Sequence, residues 1–505
     1  ANFGGAFTFL GGSGITALER YRRTLLYEHA GMTDAQIREL GGGASQFTLN
    51  SGTPASSVSQ FDAGVFVNDD WRARPNLTLS YGLRYEAQTN LSDRIGFAPR
   101  IGLARGVKRT VIRAGVGLFF DRISENVTLN ALRFNGVTQQ AYFIENPSFF
   151  PVVPSIDALA SARLPQTLQL VDRGLRAPRT WQASIGADRQ VSKTFRLSAN
   201  CLESRGTALL RSRNINAPLA PHYLTETTGF SRGHMLQLTP SLSYRGLMLF
   251  GFYALSYGMT DAEGQPADPY HLRAEWGPST FADVRHRLVI GGNIPLPGKF
   301  SASPFVIVSS GTPYNITIGQ DTNRDGIAAE RPAILMGIPK NGCAGSDLKY
   351  AAGFGCFDLN PQPGAAISRN AARGPASINV NLRVARTWTL FGKDEATAAN
   401  AALVGAAAAI HGPGGSGPPA GAMMAPPAMM MGGHGGVPSG ARKYNLTLTV
   451  SASNLLNHAN YSPPDGDLSS TYFGTYRTLA GGFASMGGSS ATFNRKVDAQ
   501  LRLTF

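Results

Sequence analysis

Along this sequence, segments that alternate apolar and polar residues are joined by connections that take turns in being short and long. The short ones fall at 72–76, 106–109, 190–193, 245–246 and 295–299, and much longer ones lie between them. A soluble sandwich has no reason to sort its loops by length. A barrel through an outer membrane does, because one rim carries tight turns and the other carries the external loops. The alternating segments are 2–10, 61–71, 77–85, 97–105, 110–122, 179–189, 194–204, 235–244, 247–257, 287–294, 300–318, 378–391, 444–453 and 497–505. They amount to about fourteen strands, an even number that would bring both ends of the chain to the short-turn rim. The expected fold is therefore all-β, an antiparallel transmembrane β-barrel.

The last segment is the cleanest. Val497, Ala499, Leu501, Leu503 and Phe505 share one phase, and Asp498, Gln500, Arg502 and Thr504 share the other. That is a strand with one oily and one wet face. A strand ending on an aromatic residue suits a barrel seam better than an exposed soluble edge, which invites aggregation. Composition agrees. Charged residues make up only 15% of the chain, so Ser, Thr, Asn and Gly fill much of the wet phase, as a lumen lining would. No run of eighteen apolar residues supplies a membrane helix, but a spanning strand needs only about ten alternating residues. Trp71, Tyr85, Trp181, Tyr244, Tyr257, Trp388, Tyr444 and Phe505 lie near segment ends, where an interfacial girdle would sit. The net charge of +14 is scattered, with no basic helix or aromatic RNA-binding motif beside it. This excludes a nucleic-acid partner and suits outer-membrane lipid with anionic head groups.

The connections divide the chain. Residues 11–57 form a long extracellular loop with helices, one over 15–27 and one opened by the Thr33 and Gln36 capping pattern. Residues 124–178 and 320–375 form two further extracellular loops, and all three are candidate ligand-capturing surfaces. Cys343 and Cys356 lie in the last of these. A bridge between them would close about fourteen residues, worth on the order of 3 kcal/mol, and would fit an oxidising compartment. Cys201 falls on an apolar phase and reads as an inert small hydrophobe. Residues 393–442 form a low-complexity periplasmic insertion of Ala, Gly, Pro and Met. Its Met423, Met424, Met429, Met430, Met431, His411 and His434 are soft-metal ligand types, but nothing fixes their geometry, and a disordered tether is the plainer reading. The opening residues, A-N-F-G-G-A-F-T-F, lack the pattern of a signal peptide, as expected of a mature, trimmed or partial chain.

The motifs of metalloproteases, serine hydrolases, redox dithiols, P-loops and dinucleotide sites do not occur, so no enzyme is expected. The one local constellation is D-T-N-R-D-G at 321–326. Asp321, Asn323 and Asp325 place oxygens at alternate positions before Gly326, as a calcium loop does. The twelfth position, where a bidentate Glu belongs, is Pro332, and Glu330 comes two places early. The alternatives are a loop stapled by a structural calcium and a plain Asx-rich turn.

Several stretches carry a resemblance. They are F-V-N-D-D-W-R-A-R-P-N-L-T-L-S-Y-G-L-R-Y-E (66–86), F-A-P-R-I-G-L-A (97–104), E-S-R-G-T-A-L-L-R-S-R-N-I-N-A-P (203–218), D-V-R-H-R-L-V (283–289), S-G-T-P-Y-N-I (310–316), S-N-L-L-N-H-A-N (453–460) and the terminal L-R-L-T-F. Together they resemble the carboxy-terminal barrel portion of TonB-dependent outer-membrane receptors, in particular the Oar-like group with a carboxypeptidase-regulatory-like domain. The resemblance implies the C-terminal part of a 22-stranded barrel, a plug domain, a TonB-type energy-coupling complex and uptake of a small-molecule or polymer substrate. Neither a plug nor a TonB-contacting box is found in this sequence. Two other functions fit the same strands: a self-closed passive channel, and a barrel-anchored surface adhesion or structural protein.

Overall fold

The computed structural model describes residues 2–10, 15–93, 96–161, 167–219, 221–362, 364–391, 444–480 and 494–504. First come β1 (Ala6–Thr8), helices α1 (Ala17–His29) and α2 (Asp34–Glu39), and β2 (Gln46–Gly52). The long strands begin with β3 (Asp62–Arg74), β4 (Leu77–Gln88), β5 (Phe97–Val107) and β6 (Thr110–Phe120). Then come α3 (Glu125–Arg133), β7 (Gln139–Glu145) and β8 (Leu168–Val171), and after them β9 (Arg179–Gln190), β10 (Phe195–Asn214), β11 (His222–Tyr244) and β12 (Leu247–Thr260). The short β13 (Gly277–Pro278) precedes β14 (His286–Leu296) and β15 (Phe300–Ser309). Five short strands occupy the next loop: β16 (Pro313–Tyr314), β17 (Ala333–Leu335), β18 (Leu348–Ala351), β19 (Gly355–Asp358) and β20 (Ala372–Arg373). The last three are β21 (Ser377–Phe391), β22 (Tyr444–Ser453) and β23 (Lys496–Thr504).

One sheet holds fifteen strands, of which β8 and β13 attach at the side, so thirteen run in an unbroken ladder from β3 to β23. Every neighbour in that ladder is antiparallel and is the next long strand in sequence. Opposed residues in such a ladder share a face, so the register can be followed around the wall. One row reads Leu79, Leu103, Ala114, Ile185, Cys201, Leu236, Leu255. Another, on the opposite face, reads Arg113, Gly186, Asn200, Gln237, Ala254, Arg287, Ser309, Ser377. The oily phase therefore stays on one side across many strands. It is not buried against a second sheet: Leu501 is 65% exposed, Leu503 53% and Tyr81 50%. A single-layer wall with an open apolar face has one stable solvent for that face, the hydrocarbon of a bilayer.

The short turns have the chemistry their geometry needs. Arg245 (φ 47°) and Gly246 (φ 84°) both lie at positive φ, the two-residue hairpin that matches strand twist.

Three expectations are corrected. Residues 2–10 are not a wall strand: β1 pairs with β2, and β2 with β7, in a separate three-stranded sheet. The reason is Phe7, whose ring packs on Phe47 (4.7 Å) and Phe149 (5.8 Å) around a buried core instead of facing lipid. Among the described residues the ladder consequently has thirteen strands, not about fourteen, and β3 and β23 both run from the long-loop rim to the short-turn rim. The chain thus enters and leaves the wall at opposite rims. Third, the strand expected over 300–318 ends at Ser309. A Cβ at Gly311 would sit 1.7 Å from the Gly374 carbonyl oxygen, so the backbones cross there and the ladder cannot continue.

Candidate functional site

The wet phase and the loops at one rim enclose the candidate site. Facing inward from β6, β9 and β10, Arg113 and Arg196 share Asp188 at 3.2 and 3.9 Å. Arg84 pairs with Glu86 on β4, and Arg100 on β5 lies 4.5 Å over the Phe119 ring. With Arg287 and Arg383 on the same face, this wall carries more cations than carboxylates.

Above it the expected loops fold instead of dangling. Tyr314, Ile316, Ala351, Phe357, Ala372 and Leu468 form one buried core that joins the 320–375 loop to the loop before β23. Cys343 and Cys356 are bridged, as their spacing allowed. Cys356 lies on β19, the central strand of the β17–β19–β18 sheet. The Cys343→Ser/Cys356→Ser variant is expected to lose about 3 kcal/mol of loop stability. Limited proteolysis confined to 320–375 under otherwise native conditions is the check.

Buried ion pairs tie the loops down. Arg331 forks onto both oxygens of Glu275 at 3.0 Å, and also donates to the carbonyls of Ala274 and Ile367 at 3.1 Å. Arg369 lies 3.7 Å from the same carboxylate. Arg211 sits between Glu226 (3.8 Å) and Asp261 (3.7 Å) where β10, β11 and β12 rise above the wall. Sequence reasoning missed both clusters; partners as far apart as Glu275 and Arg331 leave no local pattern.

The 321–326 constellation is a compact turn. Asp321 accepts the amides of Asp325 (3.0 Å) and Gly326 (2.8 Å), Asn323 accepts that of Asp325 (2.9 Å), and Asp325 accepts that of Ile327 (2.9 Å). Glu330 folds back onto the amides of Thr322 and Asn323 at 2.6 and 3.1 Å. Among the described residues, no group of three or more His, Cys, Asp or Glu is gathered as a metal site would require. Burial pushes the Asp325 carboxyl up to about 6, reinforced by the charges of Asp321 and Glu330 and opposed by the Ile327 amide. Its folded pKa lies above that of the unfolded chain. The turn therefore gains stability as pH falls from neutrality toward 4, and that gain is lost as pH rises through about 6. Amide exchange at Ile327, corrected for intrinsic rate, is expected to slow at pH 5 relative to pH 7, and Asp325→Asn should flatten the difference. The Met and His residues of 393–442 lie outside the described residues.

Residues 2–96 and 91–399 match the family described as "Outer membrane beta barrel domain". None of the curated proteins matches this sequence. Among solved structures, the chain is similar to the outer membrane transporter YddB from Escherichia coli, with a TM-score of 0.47, 12% identity, and coverage of 86% of this chain and 46% of that one. It is also similar to the FrpB iron transporter from Neisseria meningitidis (0.43, 12%, 99% and 49%) and the siderophore receptor PirA from Pseudomonas aeruginosa (0.39, 8%, 82% and 49%). The chain spans about half the length of these proteins.

Proposed function

This chain belongs to the outer membrane beta barrel domain family and resides in the outer membrane, and from that premise we propose that it forms part of the wall of a larger receptor-transporter. The observation that carries the reading is the direction of the two edges. Among the described residues β3 and β23 are each paired on one side only, and both run toward the short-turn rim. Joining them directly would make a parallel seam, whereas bacterial barrels close with an even number of antiparallel strands. An odd number of further strands would complete such a wall, and nine would bring the thirteen of the ladder to the twenty-two of an outer-membrane transporter. Barrels of that size hold a plug in the lumen, whereas those of sixteen to eighteen strands leave an open channel. The inward cations of β4–β6 and β10 would meet that plug and the passing solute, and the stapled loops would capture the solute outside. Energy coupling through a TonB-type complex completes the proposal, in line with the sequence resemblance.

The test is uptake by cells expressing the whole gene, offered ferric siderophores, cobalamin, oligosaccharides and oligopeptides in turn. Saturable uptake of one class that stops when a protonophore collapses the proton gradient supports the reading. Protonophore-insensitive flux proportional to concentration would assign a passive channel. Loss of cell contact with uptake intact, on deletion of 320–375, would assign an adhesion role. The proposal gives the 321–330 turn a stapling role without a required cofactor. Titration calorimetry with calcium should then show no saturable heat; a saturable heat abolished by Asp325→Asn would make it a cation site.

A further inference from the structure

At the long-loop rim, the outward phase of β10 and β11 changes abruptly from apolar to charged. Below the change it presents Leu197, Ala199 and Cys201 on β10, and Leu242, Pro240, Leu238 and Leu236 on β11. Above it come Glu203 and Arg205, facing His234 and Arg232. The ladder sets Arg205 directly opposite Arg232, and Glu203 opposite His234. Like charges in that relation destabilise a sheet unless an anion lies between them.

Glu203 supplies part of that anion. It accepts from Nε and Nη2 of Arg205 at 3.2 Å, and lies 3.5 Å from Arg232 and 3.9 Å from His234. One carboxylate thus faces three basic groups. The side chains of Arg205 and Arg232 remain 62% and 51% exposed, and among the described residues Arg232 has no closer partner than Glu203. Arg285, itself paired with Asp283 at 3.3 Å, lies 3.8 Å over the ring of Tyr257, which is the ladder partner of His234.

Position identifies the occupant. From Tyr244 at the short-turn rim to His234, β11 rises about 33 Å along its axis, or about 25 Å across a bilayer at the usual tilt, the height of a barrel's apolar band. The cluster therefore stands where head groups begin. Exposed Trp181, the ladder partner of Arg205, and exposed Tyr257 flank it as interfacial aromatics do. At the same rim, the other end of the wall presents Phe61, Tyr85 and Phe97 instead of charge.

We propose that Arg205, Arg232 and His234, arranged around Glu203, bind the phosphate group of a lipid head group in the outer leaflet, with the acyl chains lying on Cys201 and Leu236 below. Guanidinium forks match phosphate oxygens bidentately, and the long-loop rim of an outer-membrane barrel faces the outside. The site rests on membrane residence alone, not on the transport reading, so either can fail without the other.

The test measures binding of the whole protein, extracted in mild detergent, to phosphatidylcholine vesicles doped with lipid A, with and without its phosphates. Arg205→Gln/Arg232→Gln is expected to weaken binding to phosphorylated lipid A by about 25-fold, at about fivefold per arginine. Glu203→Gln is expected to strengthen it, because the competing carboxylate is gone while both arginines remain. Inorganic phosphate at tens of millimolar should not displace the vesicles. Unchanged binding by the double variant, equal binding of dephosphorylated lipid A, or displacement by inorganic phosphate overturns the proposal. Weakening by Glu203→Gln also overturns it, since a purely structural staple would respond that way.

Discussion

Replacing Leu238 with arginine is expected to destabilise the wall by about 2–4 kcal/mol, the cost of an arginine on a lipid-facing position near the bilayer midplane. Leu238 lies between the basic cluster and the lower aromatic rim, paired with Ala199 on one side and Tyr253 on the other. Its neighbour Gln237 is paired with Asn200 and Ala254 on the opposite face. Gln237→Arg should therefore cost little, because its side chain joins the polar face that already bears Arg113 and Arg287. The two substitutions add the same residue one position apart, so propensity and chain context cancel. Denaturant titration in vesicles, followed by tryptophan fluorescence, reads the difference directly. Equal costs would mean that the two faces see the same solvent.

Arg331→Met should be at least as damaging, but to the loops alone. The side chains of Arg331 and Glu275 are only 5% and 2% exposed. Removing one partner of a buried, hydrogen-bonded pair costs about 3–5 kcal/mol, because the other charge is left uncompensated in a low dielectric. Arg369, 3.7 Å from Glu275, offsets part of that loss. The Arg331→Met/Glu275→Met variant should recover most of it, since two apolar residues of similar volume need no partner. Amide exchange should accelerate in 261–285 and 320–375 and leave β9–β12 protected. A double variant worse than the single would show that the pair supplies net stability instead of mutual compensation.

These two predictions mark the line between what the sequence disclosed and what it hid. The wall was legible because a strand's period of two is local. Val497 to Thr504 and Leu77 to Tyr85 announce their faces without reference to any other segment, and the turn lengths supply the order. The disulfide was legible too, because both cysteines lie in one loop. Legibility ends where contacts are distant. Phe7 alternates like a wall residue, and Phe47, Phe149 and Phe150, distant in sequence, pack against it in the small separate sheet. β10 and β11 extend far beyond the segments expected at 194–204 and 235–244. There the register slips between Thr207 and Leu209 and again between Leu209 and Arg211, with Ala208 at φ 55°, so the alternation changes phase and stops being readable. The Glu275 and Arg331 pair and the opposed Arg205 and Arg232 depend on register and tertiary approach, which no periodicity encodes.

The decisive property of the wall is which of its faces meets hydrocarbon. Single cysteines at 236 to 241 in a Cys201→Ser background, spin-labelled in reconstituted bilayers, test this position by position. Oxygen should collide preferentially with labels at Leu236, Leu238 and Pro240, and an aqueous nickel chelate with labels at Gln237, Thr239 and Ser241. Accessibility without that two-residue period, or with the two reagents exchanged, would contradict the membrane wall and everything built on it.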